Sequence, residues 1–336
     1  MHNVTLIKGD GIGPSIMEAA VAVIDATGAK INWQEADAGM SAYEKTGNPL
    51  PDATMESIEK TRVAFKGPLT TMVGEGFRSI NVELRKRYDL YANVRPAKSW
   101  PGVKTRYDDV DIVIVRENTE GLYVGLEHYL TPQKDIAESL AVVTRKCSER
   151  IVDYAFQYAK DNNRKKVTVC HKANILKFTQ GLFLKTAREV AAKYPEIEFD
   201  EKIVDAACMH MVMKPEQFDV VVTTNMFGDI LSDLTAGLVG GLGLIPGANI
   251  GADAALFEAV HGSAPDIAGK NIANPVAVMM AGVMMLNHLG EHEAANKMQN
   301  AIEKVVKEGV HVTPDLNPAS TTGTKEMAAA IIAAMA

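Results

Sequence analysis

Short β-branched apolar runs alternate along this chain with longer stretches of helical periodicity, and that alternation narrows the fold more than any single residue does. Val4–Ile7, Val63–Phe65, Ile112–Val115, Val167–Cys170, Ile203–Val204 and Val220–Thr224 read as strands. Ser15–Thr27, Thr54–Lys60, Lys146–Asp161, Gly181–Lys193 and Ala294–Glu308 read as helices. Strand and helix in turn imply an α/β protein. With 336 residues, 47% of them hydrophobic, the chain has length for about two domains with sizeable cores. No repeat, low-complexity tract or Pro-rich linker marks a border between them.

A net charge of -7 lacks the basic footprint of a nucleic-acid binder. An anionic substrate would need a local cluster of Arg and Lys working against the overall field. Cys147, Cys170 and Cys208 lie far apart without C-x-x-C spacing, so neither a thiolate metal site nor a disulfide framework is expected, and a reducing, cytoplasmic setting is. The chain opens on polar Met1-His2-Asn3 and enters a strand pattern at once, so no signal peptide is expected. The most apolar run, Val276 to Leu286, is too short to cross a bilayer and reads as a buried helix.

Several motifs carry chemistry. If Asp229-Ile230-Leu231-Ser232-Asp233 is helical, Asp229 and Asp233 share one face a turn apart. With Asp205 upstream they offer hard oxygens suited to Mg²⁺ or Mn²⁺. Read alone, the pair is more ordinarily an N-capping Asp followed by a solvated one. Arg85, Arg95 and Arg116 sit on a helix, before Pro96 and at the end of an apolar run, settings from which a guanidinium can grip a carboxylate. Surface ion pairs are the ordinary alternative. Lys172 follows a core strand, where desolvation would bring its amine toward acid–base range. Tyr123 lies between Gly121 and Gly125, which let backbone approach a ligand. His261-Gly262-Ser263-Ala264-Pro265-Asp266-Ile267 is a loop of small residues able to wrap a flat ligand, with an acid that would hold ribose hydroxyls and repel a ribose phosphate. By contrast Gly9-Asp10-Gly11-Ile12-Gly13-Pro14 departs from G-x-G-x-x-G and reads as a tight turn rather than a Rossmann nucleotide site.

Together these residues resemble the β-decarboxylating dehydrogenases of isocitrate, 3-isopropylmalate and homoisocitrate. The resemblance runs over essentially the whole chain. It rests on Asn225-Met226-Phe227-Gly228-Asp229-Ile230-Leu231-Ser232-Asp233, on Asp89-Leu90-Tyr91-Ala92-Asn93-Val94-Arg95-Pro96 and on Arg116-Glu117-Asn118-Thr119-Glu120-Gly121. It implies the isocitrate/isopropylmalate dehydrogenase-like α/β fold, not a Rossmann fold. A large cofactor-binding domain (1–94 and 240–336) would hold both termini. A smaller inserted domain (95–239) would carry the dimer interface, with substrate in the cleft between them.

The resemblance also implies roles. Arg85, Arg95 and Arg116 would bind substrate carboxylates, Ser79 and Asn81 would read the γ-carboxylate of isocitrate, and Asn174 would orient substrate or nicotinamide. Asp205, Asp229 and Asp233 would hold Mg²⁺ or Mn²⁺, with Asp205 and the base Lys172 supplied by a partner in a homo-oligomer of shared sites. Tyr123 would be the acid. NAD would lie against Thr71, Glu258, His261, Gly262, Ser263, Ala264, Asp266, Ile267 and Asn274. Asp266-Ile267 stands where NADP-linked relatives carry Lys-Tyr, and Val312–Pro318 lacks the Tyr and Arg that would grip a 2′-phosphate, which favours NAD. Polar residues at 79 and 81 argue against an isopropyl group, whose pocket would leave donors unpaired. The rivals are a homoisocitrate or 3-isopropylmalate enzyme and a regulatory subunit of a hetero-oligomer. Glu75 has no assigned role. No nucleic acid or membrane partner is expected.

Overall fold

The computed structural model describes residues 1–70 and 79–336. Twelve strands are seen among them: β1 (His2–Ile7), β2 (Ile31–Ala36), β3 (Val63–Lys66), β4 (Ala92–Lys98), β5 (Asp111–Glu117) and β6 (Glu127–Tyr129) in the first half. Then come β7 (Ala137–Ser139), β8 (Lys166–His171), β9 (Glu198–Ile203), β10 (Val220–Thr223), β11 (Pro246–Ile250) and β12 (Ala255–Ala259). The helices are α1 (Gly13–Ala26), α2 (Met40–Thr46), α3 (Asp52–Thr61), α4 (Ile80–Arg87), α5 (Arg145–Asp161) and α6 (Thr179–Ala191). They continue with α7 (Val204–Met213), α8 (Asn225–Leu238), α9 (Val276–His288), α10 (His292–Glu308) and α11 (Thr324–Ala334).

Ten strands form one sheet in the order β2-β1-β3-β12-β11-β4-β5-β10-β8-β9, while β6 and β7 pair as a separate ribbon. The order is not that of a doubly wound dinucleotide fold. A parallel set at each edge is joined in the middle by antiparallel pairings of β11 with β12 and β4, and of β4 with β5. The strand pleat sorts side chains onto two faces. On one face, called the back here, Val4, Phe65, Val94, Val113 and Phe257 join a continuous core under α1, α5, α6, α9, α10 and α11. On the front, the core breaks in two. Ile7, Ala64 and Leu256 pack with α3 and α4, whereas Ile112, Ile114 and Val221 pack with α7 and α8. Between those two front cores the middle strands β12, β11 and β4 present Glu258, Asn249, Asn93 and Arg95.

The six sequence-read strands and five helices are present with small shifts at their ends, except at Ile203–Val204. There β9 ends at Ile203 and Val204 opens α7. β9 is an edge strand, bonded to β8 alone, so Glu198–Lys202 carries charged residues and hides the apolar signal. Val276–Leu286 lies within buried α9. Among the described residues no helix is long and apolar enough to cross a membrane.

Gly9-Asp10-Gly11 forms the tight turn read from the sequence, with positive φ at both glycines (77° and 59°). A Cβ on Gly11 would lie 2.0 Å from the Ser263 carbonyl oxygen, so only glycine lets this turn meet the 263 loop. The Asp10 carboxylate accepts from the amides of Met40, Ser41 and Thr70 (3.0, 3.1 and 2.8 Å). The turn binds neighbouring protein backbone at the places a Rossmann turn would offer to phosphate.

Candidate functional site

A cavity of about 280 Å³ opens where the front face is uncovered. Its floor is cross-strand. Arg116 of β5 stands opposite Asn93 of β4, which stands opposite Asn249 of β11; Lys66 of β3 stands opposite Glu258 of β12. Ser79 and Asn81 at the start of α4, Arg85 one turn further, Tyr123, Asp229 and the 261–262 backbone supply the walls. Four basic side chains (Lys66, Arg85, Arg95, Arg116) thus face two acidic ones (Asp229, Glu258), a local positive excess in a chain of net charge -7.

Helix α8 delivers Asp229, and the sequence around it explains how. Thr224 is the N-cap residue, so Asp229 lies inside the helix with Asp233 a turn beyond, not at the cap. Gly228 is required because a Cβ there would strike the Arg116 side chain at 2.5 Å. The helix can therefore lie against Arg116, whose guanidinium is 1% exposed. Its Nε and Nη2 donate to Asn225 Oδ1 (3.1 and 2.7 Å), and its Nη1 to Asp229. Arg95 Nη1 donates to Ser232 Oγ (2.7 Å) and to Asp229 Oδ1 (3.2 Å), and lies 3.8 Å from Asp233. Arg95 Nε is buried with no partner among the described residues. It is a donor awaiting an acceptor.

Tyr123 hydroxyl donates to Asp229 Oδ2 at 2.5 Å, and Arg116 stacks over its ring. Burial, and then the carboxylate partner, raise the Tyr123 pKa, so the phenol keeps its proton. Burial would raise Asp229 too, but Arg116 and Arg95 outweigh it and hold the carboxyl below its ordinary range. For Asp233 burial prevails over Arg95 and the pKa rises.

Glu258 ties the cavity floor together. It pairs with Lys66 (2.7 Å) and Arg85 (3.5 Å) and accepts from Asn249 Nδ2 (2.9 Å). Burial pushes its carboxyl up, yet Lys66 and Arg85 bring it down to about 2. A carboxyl depressed below its unfolded value of 4.5 contributes stability above that pH and loses it as pH falls toward 2, about 3 kcal/mol in all. Glu258→Gln is expected to cost ~3–5 kcal/mol at neutral pH, because the buried Lys66 ammonium keeps its bond to the Gly67 carbonyl (2.9 Å) but loses its counter-charge. It should also flatten the loss of stability between pH 4.5 and about 2. Urea unfolding at a series of pH values checks both. An acid limb as steep in the variant as in the wild type would assign the effect to other carboxylates.

The remaining sequence-read residues fall into three groups. Lys172 and Asp205 hydrogen-bond each other, Lys172 just after β8 and Asp205 in the first turn of α7. Lys172 holds Asp205 below its ordinary pKa. With exposed Asn174 they do not line the cavity of their own chain. Among the described residues no group of three His, Cys, Asp or Glu side chains within the chain could hold a metal, so Asp205 does not join Asp229 and Asp233 here.

In the 261–267 loop, His261 and Gly262 border the cavity, and burial lowers the His261 pKa. Ser263 Oγ meets Thr70 Oγ1 at 2.8 Å, Ala264 adopts φ 37°, and Pro265–Ile267 form a single 3₁₀ turn with Asp266 exposed. Asn274 donates to Asp315 (2.9 Å), and its Oδ1 accepts from the Val276 amide (2.9 Å). Thr71 and Glu75 lie outside the described residues. Lys66, Asn93, Asn225 and Asn249 were given no role in the sequence reading, although Asn93 and Asn225 stand within its motifs. For Lys66 a signal existed: like Lys172 it ends an apolar strand.

Comparison with known proteins agrees with this geometry. The family described as isocitrate/isopropylmalate dehydrogenase matches residues 3–331. The chain is 52% identical over 319 residues to the mitochondrial isocitrate dehydrogenase [NAD] catalytic subunit 5 of Arabidopsis thaliana, covering 95% of this chain and 85% of that protein. It is 50% identical over 316 residues to a 3-isopropylmalate dehydrogenase of Archaeoglobus fulgidus, covering 94% of each. The crystal structure of isocitrate dehydrogenase from Methylococcus capsulatus superposes with a TM-score of 0.98 at 62% identity, covering 100% of this chain and 99% of that one.

Proposed function

The chain belongs to the isocitrate/isopropylmalate dehydrogenase family of oxidoreductases, and within it we propose that it oxidises and decarboxylates isocitrate to 2-oxoglutarate and CO₂ with NAD⁺ and a divalent ion. The observation that carries this reading is the meeting of Arg85, Arg95 and Arg116 with Ser79 and Asn81 in one cavity of positive excess. Three guanidiniums suit a tricarboxylate, and the Ser79 hydroxyl and Asn81 amide offer hydrogen bonds where an isopropyl group would leave them unpaired. Asn81 Oδ1 is itself buried without a partner among the described residues. The second reading is 3-isopropylmalate, favoured by relatives of comparable identity and by Leu69 and Val82 in the cavity wall.

Asp229 and Asp233, hard oxygens a turn apart, fit Mg²⁺ or Mn²⁺, and Asp205 of the partner subunit would complete the set. The bound ion would draw electron density from the substrate's oxygens, and the nicotinamide would take the hydride. The 261–267 loop would hold NAD, with exposed Asp266 accepting from ribose hydroxyls. In the reaction, the arginines fix the carboxylates. Lys172 of the partner subunit, through Asp205 of the partner subunit, takes the hydroxyl proton as hydride leaves. After CO₂ departs, the Tyr123 phenol returns a proton to the carbon.

Sharing of sites is part of this reading. Helices α7 and α8 expose Met209, Met213, Met226 and Ile230, and the β6–β7 ribbon is flanked by exposed Leu126 and Leu140. Such surfaces suit a second copy of the chain. A purely regulatory subunit would have no use for the intact set Tyr123, Lys172, Asp205, Asp229 and Asp233.

The test is steady-state kinetics of the chain expressed alone. Isocitrate should exceed 3-isopropylmalate in kcat/KM by at least ~100-fold, about 2.7 kcal/mol. NAD⁺ should be preferred to NADP⁺, and EDTA should abolish turnover until Mg²⁺ or Mn²⁺ is restored. Comparable rates on the two acids would sink the substrate assignment.

A further inference from the structure

The three strands that floor the substrate cavity carry a larger cavity, about 570 Å³, on their back face. The pleat separates the two: Asn93, Arg95, Gly247 and Glu258 face forward, while Val94, Pro96, Ala248 and Phe257 line the rear. Small-molecule sites span roughly 300–1,000 Å³. The rear cavity falls inside that range, and no residue of the proposed reaction lines it.

Its walls have a definite chemistry. Helix α5 contributes Tyr154 and Tyr158, stacked at 6.5 Å, and α9 contributes Met280, Met284 and His288. Trp100 lines the cavity from the loop after β4. Among the described residues, the hydroxyls of Tyr154 and Tyr158 and the indole N–H of Trp100 have no hydrogen-bond partner. Burial raises both tyrosine pKa values, so both remain donors. Burial also lowers the His288 pKa and keeps the ring neutral at pH 7. Arg164 is paired with Asp111 (2.6 Å) and Asp219 (3.0 Å), whereas Glu303 accepts from the neutral amide of Gln299 (2.9 Å). Lys98 lies exposed among the lining residues. The interior therefore offers flat aromatic and thioether surface and three free donors, and its charged lining residues (Lys98 and Arg164 against Asp111 and Glu303) cancel. Those features select a flat, uncharged ligand edged with acceptors.

We propose that this rear cavity, between α5 and α9, is a binding site for an uncharged planar heteroaromatic compound of two fused rings bearing hydrogen-bond acceptors. Its occupant would touch the strands that carry Asn93 and Arg95 without entering the substrate cavity.

The experiment uses caffeine, a neutral bicycle with acceptors and no donors, and indole, a bicycle with one donor and no acceptor of that kind. The chain has two tryptophans. Trp33 is remote from the cavity, bonded to Asp25 (3.0 Å) and packed on Phe65, so Trp100 is a local reporter. Caffeine should quench fluorescence saturably in the wild type and not in Trp100→Phe. Calorimetry should give indole at least ~10-fold weaker affinity than caffeine. Tyr154→Phe with Tyr158→Phe, which keeps both rings, should weaken caffeine by ~10-fold or more, the scale of two lost hydrogen bonds. Absence of saturable quenching, quenching that persists in Trp100→Phe, or equal affinity for indole would overturn the site. So would undiminished affinity in a double variant whose near-ultraviolet circular dichroism is that of the wild type.

Discussion

Replacing Lys172 by methionine is expected to lower kcat on isocitrate by ~10²–10⁴-fold, the usual contribution of a general acid–base group, with KM changed far less. Lys172 leaves the end of β8, a strand buried on both faces, so its backbone is fixed by the sheet rather than by a loop. Its amine bonds Asp205, and each side chain sets the other's position. Neither lines the cavity of its own chain, where the proposed reading gives substrate binding to the arginines. The lesion should therefore fall on proton removal rather than on binding. Lys172→Met with near-normal kcat would make the Lys172–Asp205 pair structural and would require another base. Asp205→Asn separates two possibilities. If Asp205 relays the proton, kcat falls with it; if it only holds a metal ion, raising Mn²⁺ concentration restores the rate.

The α/β class was legible because the parallel strands at the centres of the two halves are buried on both faces and read as unbroken apolar runs, as Val220–Thr223 does. The strands that join the halves were not. β11 is Pro-Gly-Ala-Asn-Ile and β12 is Ala-Leu-Phe-Glu-Ala, small and partly polar because their front face floors a polar cavity. For the same reason Asn93, Asn249 and Lys66 escaped a residue-by-residue reading. Asn93 and Asn249 look ordinary in their own segments and become site residues only through register, as when Asn93 falls opposite both Arg116 and Asn249. Residues clustered by sequence fared better. Asn225, Gly228 and Asp229 form one short motif because one helix start must hold Arg116, clear its side chain and accept its charge. The arginines were found individually, but that three of them converge is a fact of the sheet. Lys172 and Asp205 are recognisable as a pair and yet sit apart from Asp229 and Asp233.

That separation leads to a result of all-or-none size. Let one subunit carry Lys172→Met and its partner Asp229→Asn, purified as a mixed dimer through two different tags. Each homodimer should be nearly inactive, since every site holds a lesion. If Lys172 of one chain serves the Asp229 of the other, the mixed dimer has one site with both groups intact and one with both lost. It should therefore recover about half of wild-type activity, as two-fold symmetry requires. If the two groups act within one chain, both sites of the mixed dimer remain damaged and no activity returns. The reciprocal arrangement reverses the expectation. A chain bearing both substitutions, paired with a wild-type chain, leaves one lesion in each shared site and should be inactive, whereas unshared sites would leave half the activity. Asp229→Asn keeps the side chain's size and one acceptor oxygen for Arg116, while its amide N–H can donate to the Tyr123 oxygen; because it removes the charge beside buried Arg116 and Arg95, near-ultraviolet circular dichroism of each homodimer is read first. Recovery in the first mixture with loss in the second would establish that α8 of one chain and the β8–α7 edge of the other build a single site. Activity in the second mixture alone would return Lys172 to its own chain and would demand that the two halves close far enough to bring it to Asp229.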